Sequence, residues 1–179
     1  MADEADPIGG AGSVVQALAD LGLTPVLVGG MALVVLGSRR VTRDFDFVVA
    51  RPEDRLPALL DLLYDRGLAL ASRLNAEGDV TATIDNRRVA GARLRLDAPA
   101  SATFFDSSTG LRIDLLFDYP LEARALAGRA TTVRVRSVAF RVASEDDLLR
   151  LKRIALEARS WASDAEDVAF LEARLGKRT

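Results

Sequence analysis

Apolar positions change their spacing several times along the chain, and each change marks an element. Val14, Ala17, Leu18 and Leu21 recur at helical spacing until Gly22, which predicts a first helix from Ser13 with a glycine stop. Residues 1–12, acidic and then glycine-rich, offer nothing to pack and are expected to form a loose tail. Pro25, Val26, Leu27 and Val28 form a continuous apolar run of strand length; Gly29-Gly30 follows, and residues 31–36 resume a helix-compatible pattern. A second strand is marked by Phe45, Phe47, Val48 and Val49. Leu56, Leu59, Leu60 and Leu63 then share one face of a helix that Gly67 closes.

Residues 68–97 alternate, notably at 80–84 and 92–96 on either side of Asp85-Asn86, which predicts one or two antiparallel hairpins. Residues 111–117 read as a strand, 121–126 as a short helix and 131–142 as one or two further strands. Ser144 before Glu145-Asp146-Asp147, and a capping-box match at Ser163-x-x-Glu166, open a C-terminal helical pair. The resulting expectation is an α+β fold. A mixed sheet flanked by helices occupies residues 13–143, with the helices of 144–179 packed on the same domain.

Composition narrows the chemistry. A length of 179 residues, 49% hydrophobic and 28% charged, suits one globular domain with its own core. The absence of Cys and His excludes disulfides, thiolate nucleophiles, a Ser-His-Asp triad and histidine-bound zinc. Carboxylates, hydroxyls, Lys, Arg and hard metals remain. A net charge of -2 argues against a general polyanion binder. Lys152 and Lys177 are the only lysines; every other basic residue is arginine, the better bidentate partner for phosphate. No apolar run reaches membrane-spanning length and the N-terminus is acidic, so no membrane association and a cytoplasmic location are expected.

Four features coincide between Val28 and Phe47 and in one later strand. Gly29-Gly30 at a strand-to-helix junction lets a phosphate approach the backbone. Asp44 and Asp46, one residue apart in a strand, point their carboxylates to one face while Phe45 and Phe47 point to the other. Two adjacent acids repel unless a cation lies between them, and oxygen donors suit Mg²⁺ or Mn²⁺. Asp114 places a third carboxylate inside the apolar strand Ile113 to Phe117, where an unpaired charge is costly. Convergence of the three would make a two-metal site. Asp118, near the strand end before Pro120, is expected to cap a turn. Arg39, Arg40 and Arg43 lie between the glycines and the acids, within reach of a triphosphate. Trp161, between the two C-terminal helices, is expected to be a packing anchor rather than a base-stacking platform.

Gly-Gly, thirteen intervening residues and Asp-Phe-Asp-Phe, with Ile-Asp-Leu downstream, resemble the nucleotidyltransferase superfamily of the DNA polymerase beta type. Gly-Gly-x-Ala followed by Gly-x-Arg-Arg-x-Thr-x-Asp-x-Asp is similar to its AbiEii-like group, which includes toxins of toxin-antitoxin pairs. Ser144 to Lys152 and Asp164 to Val168 extend the likeness. The resemblance implies transfer of a nucleoside monophosphate from an NTP to an acceptor hydroxyl. Asp44, Asp46 and Asp114 would hold Mg²⁺ or Mn²⁺ and carry catalysis. Gly29, Gly30, Arg40, Thr42, Lys152, Asp164 and Asp167 would bind the nucleotide or orient its site. The acceptor is left open among RNA or tRNA, a protein side chain and a small molecule, and a cognate antitoxin is an expected partner. A second reading keeps the fold and the nucleotide but not turnover, as a binding protein or toxin-antitoxin partner.

Overall fold

The computed structural model describes residues 6–177. Helix α1 (Pro7–Asp20) begins ahead of the Ser13 start that periodicity suggested. Pro7 occupies the first turn, where its missing N–H costs nothing, and the Asp6 carboxylate accepts the Gly9 amide at 3.0 Å. Glycines that looked like tail serve close packing instead. A Cβ on Gly12 would lie 2.6 Å from the Val138 side chain. Residues 7–12 are therefore helix; residues 1–5 of the expected tail lie outside the described residues.

The order continues β1 (Val26–Val28), α2 (Gly29–Val35), β2 (Asp44–Val49), α3 (Leu56–Tyr64), β3 (Ala69–Leu74), β4 (Val80–Ile84), α4 (Arg87–Asp97), β5 (Ser101–Phe105) and β6 (Arg112–Phe117). It ends with α5 (Ala123–Arg129), β7 (Thr131–Val135), β8 (Val138–Val142), α6 (Glu145–Arg159) and α7 (Ala162–Gly176). The strands form one sheet in the order β4-β3-β5-β6-β2-β1-β8-β7. It is mixed: β2 runs parallel to β6 and β1 to β8, while the other neighbours are antiparallel. The fold is the helix-flanked mixed sheet expected, with a C-terminal helical pair.

Two local expectations are corrected. Residues 92–96 are not a strand but part of α4, opened by Asn86, whose side-chain oxygen accepts the amides of Arg88 and Val89. The helix buries only Ala90, Gly91 and Leu94, so its remaining Arg/Leu alternation faces outward and mimics a strand period. The strand that follows α4 is β5, which lies between β3 and β6 and which the pattern did not mark. The Ser163-x-x-Glu166 box does not open α7 either: the N-cap is Trp161, without a side-chain cap, and Ser163 falls in the first turn. Ser144 does cap α6, accepting the Asp147 amide at 3.2 Å. Asp118 caps a turn as expected, accepting Ala123 N–H at 2.9 Å and Arg51 N–H at 3.0 Å.

The core explains why the acids stand where they do. Along β2, Phe45 and Phe47 are buried between the half-buried Asp44 and Asp46. They stack with Phe140 of β8, ring centroids 6.1 and 6.4 Å away. On β6 the same alternation buries Ile113, Leu115 and Phe117. Fixing these apolar residues in the core fixes every carboxylate of the two strands on the opposite face. Arg174 of α7 donates to Glu145 at 2.7 Å and to the Leu36 carbonyl at 2.9 Å, tying the helical pair to α2.

Candidate active site

The parallel pairing of β2 and β6 sets Asp46 directly opposite Asp114 and Asp44 opposite Arg112. On its other side Asp46 faces Val28, the last residue of β1, so Gly29-Gly30 turns beside it. Gly29 has φ +67°, and a Cβ there would lie 2.1 Å from the Asp46 carboxylate. Its glycine is needed twice over, by the backbone conformation and by the acid. A Cβ on Gly30 would lie 2.8 Å from the Arg40 guanidinium carbon, so that glycine makes room for arginine.

The three acids share one face but not one environment. Asp114 accepts Thr103 Oγ1 at 2.5 Å and Arg112 Nε at 3.0 Å. Arg112 also donates to the Gly78 carbonyl at 2.7 Å and lies 3.9 Å from Asp44. Asp46 has no such partner among the described residues, and burial, reinforced by the negative charges of Asp114 and Asp44, pushes it up to about 7. Burial also raises Asp44; the charge of Arg112 opposes that rise, while Asp114 and Asp79 add to it. This face of the sheet is short of positive charge. Among the described residues no three acidic side chains form a ready-made metal cage. The donor set nevertheless fits a hard divalent ion: oxygen-only, clustered on one face, and penalised for being ionised without a counter-charge.

A second ionic cluster lies on the helical pair. Lys152 of α6 is buried and bonds Asp167 at 2.7 Å and Asp164 at 3.4 Å. Asp167 also accepts from Arg40. Asp164 receives two bonds from Arg159, at 2.8 and 3.2 Å. Burial alone would raise Asp164, but the Arg159 hydrogen bonds and the Lys152 charge outweigh it and hold its carboxyl below the usual range. The charge of Lys152 is also felt at Asp46, where it lowers the pKa against the larger opposing effects.

Both clusters border a cleft of about 900 Å³. Gly29, Gly30, Arg40, Thr42, Asp44, Asp46, Asp114, Lys152 and Asp164 line it; Asp167 is buried behind, on Lys152 and Arg40. Thr42 Oγ1 lies 3.4 Å from the Asp44 amide it accepts. Arg39 is exposed, as is Arg43 at the rim of the cleft. Three participants escaped the sequence reading: Arg112, Thr103 and Arg159. Arg112 carried a signal, since two residues before Asp114 in a strand is the same face. Thr103 needed the pairing of β5 with β6, which sets it opposite Asp114. Trp161 is not a packing anchor: it is 58% exposed and lines the cleft.

Several solved structures share this fold at low sequence identity. The antibiotic-resistance factor ANT(2'')-Ia in solution is 13% identical with a TM-score of 0.59, covering 96% of this chain and 85% of its own. An antigenic nucleotidyltransferase-like protein from Paracoccidioides brasiliensis is 16% identical with a TM-score of 0.59, over 95% and 76%. The lincosamide antibiotic adenylyltransferase LnuA, lincomycin-bound, is 10% identical with a TM-score of 0.55, over 92% and 95%. At such identities the likeness is one of fold. Residues 15–177 match the family described as "Nucleotidyl transferase AbiEii toxin, Type IV TA system", and the chain belongs to it. It is an enzyme of the nucleotidyltransferase class. No curated protein shows a significant sequence match. Among the described residues no helix is long and apolar enough to cross a membrane.

Proposed function

We propose that the protein transfers a nucleoside monophosphate from an NTP to an acceptor hydroxyl in a reaction dependent on Mg²⁺ or Mn²⁺. The observation that carries this reading is the register of Asp46 on Asp114, with Asp44 on the same face and the Gly29-Gly30 turn beside them. Asp44, Asp46 and Asp114 would hold the divalent ions, which when bound supply Lewis-acid charge at the phosphoryl oxygens. The Gly29-Gly30 backbone seats phosphate, and Arg40, Thr42 and Lys152 border it. Asp164 and Asp167 act through the cations they hold. Asp114 takes the proton of the acceptor hydroxyl as its oxygen bonds the α-phosphorus and the bond to pyrophosphate breaks. The work of the site is then positioning and charge stabilisation.

The family description as the toxin of a type IV system supports a cognate antitoxin as partner. The acceptor is RNA or tRNA, a protein side chain or a small molecule. The fold neighbours include a lincosamide antibiotic adenylyltransferase solved with lincomycin bound. Thermal stabilisation by ATP, GTP, CTP and UTP, with and without Mg²⁺, tests the donor half. A metal-dependent shift is expected with at least one NTP in the native chain and none in the Asp44→Ala, Asp46→Ala double variant. Equal shifts in both proteins would refute the assignment.

A further inference from the structure

The large aromatic side chains Phe45, Phe47, Phe104 and Phe140 are fully buried, yet the single tryptophan stands 58% exposed on the wall of the cleft. An indole left in water forgoes much of the burial that usually justifies so large a side chain. It is also held in place. Helix α6 stops at Ser160, in the left-handed region at φ +52°, and Trp161 is the N-cap residue of α7. The Arg159 guanidinium carbon sits 4.4 Å from the ring centroid, covering the ring from one side. Arg159 in turn is fixed by its two bonds to buried Asp164, which also accepts from Lys152. A line of direct contacts thus runs from the indole through Arg159 and Asp164 to Lys152, whose charge is felt at Asp46.

We propose that Trp161, backed by Arg159, is the platform on which the base of the donor nucleotide stacks. This rests on the nucleotidyltransferase reading above and adds to it the place of the base. The cleft has the volume of a small-ligand site and carries phosphate-directed groups at Gly29-Gly30, Arg40 and Lys152. A nucleotide lying along it with phosphates there brings its base toward the turn between α6 and α7. An aromatic face stacks on any base, and a guanidinium behind the indole adds a cation–π layer to the stack. Trp161 is then a binding residue for the base and takes no part in the chemistry at phosphorus.

Calorimetric titration separates base from phosphate. The native full-length chain, Trp161→Ala and Trp161→Phe are titrated in Mg²⁺ with ATP, GTP, CTP and UTP, and separately with inorganic tripolyphosphate. Trp161→Ala is expected to weaken whichever NTP binds by about tenfold or more while tripolyphosphate affinity stays within about twofold, and Trp161→Phe should recover most of the loss. The same NTP should quench the native tryptophan emission, which comes from this one indole. Equal weakening of NTP and tripolyphosphate, or no weakening of either, would overturn the platform. So would a native chain that binds tripolyphosphate as tightly as any NTP. A native chain that binds neither would overturn the nucleotidyltransferase reading and the platform together.

Discussion

Two groups of charged side chains border the cleft, and they are solved in opposite ways. On the helical pair, Lys152, Arg40 and Arg159 are matched against Asp164 and Asp167, each acid bonded to two cations. On the strands, Asp44 and Asp114 pair with the single Arg112, and Asp46 receives no hydrogen bond from it and feels Lys152 and Arg112 only as charges at a distance. The first group is complete as it stands and fastens helices to sheet. The second is stable only because the aromatic core behind it holds the strands in register. A site left short of positive charge is one poised for a cation that arrives with the substrate.

The sharpest way to break this contrast is to remove the centre of the matched group. Lys152→Met leaves Asp164 and Asp167 with one cation each, in surroundings that admit little water. Breaking a buried network of this kind costs about 3 kcal/mol, the lower end of the range because Arg159 and Arg40 remain. Urea denaturation monitored by circular dichroism should show that loss. A chain as stable as the native one would mean that the helical cluster is not a structural fastening.

The acid cluster should respond to pH in the opposite sense. Burial and the charges of Asp114 and Asp44 push Asp46 up to about 7 in the folded protein, above the ordinary carboxylate range of the unfolded chain. The folded state therefore holds more protons than the unfolded state between these values, and stability falls as pH rises through that window. Asp46→Asn removes the penalty. In EDTA at pH 8 the variant should gain about 2 kcal/mol, less than the full shift implies because water reaches the cleft. Its melting temperature should also change less between pH 5 and pH 8. Asp164, held below the usual range, contributes stability that is lost only as pH falls below the ordinary carboxylate range. An Asp46→Asn chain with the native pH profile would remove Asp46 as the strained acid.

The legibility of the two clusters in the sequence differed for a physical reason. Strand alternation is local, so Phe45 and Phe47 announced the face of Asp44 and Asp46, and Ile113 and Leu115 that of Asp114. The pairing of Asp46 with Asp114 depends on a parallel register between strands far apart in the chain, which no local pattern encodes. The residues of the helical cluster were named by the family resemblance; local pattern alone showed only acids in a first turn, a place that acids favour whatever their role. What had to be known was that Arg40 and Lys152 would meet them, and that is a matter of how α7 packs. The same limit explains α4: a helix that buries three residues, two of them Ala and Gly, leaves a sequence period that its exposed Arg and Leu dominate. Trp161 was misread because an isolated tryptophan is usually packed, and only the turn at Ser160 puts this one on a cleft wall.

The smallest expected effect concerns Arg112, the cation paired with Asp114 and Asp44. In EDTA at pH 8, Arg112→Gln should lower stability by about 1 kcal/mol, since a partly exposed ion pair contributes little on its own. The informative quantity is the response to Mg²⁺. If Arg112 stands where added positive charge is most needed, the variant should gain more from Mg²⁺ than the native chain, because the unrelieved repulsion among Asp44, Asp46 and Asp114 is greater. Melting curves of the two proteins across a Mg²⁺ series decide the matter: convergence of the curves at high Mg²⁺ supports a shared counter-charge, and a constant offset would make Arg112 a tether for the Gly78 carbonyl and nothing more.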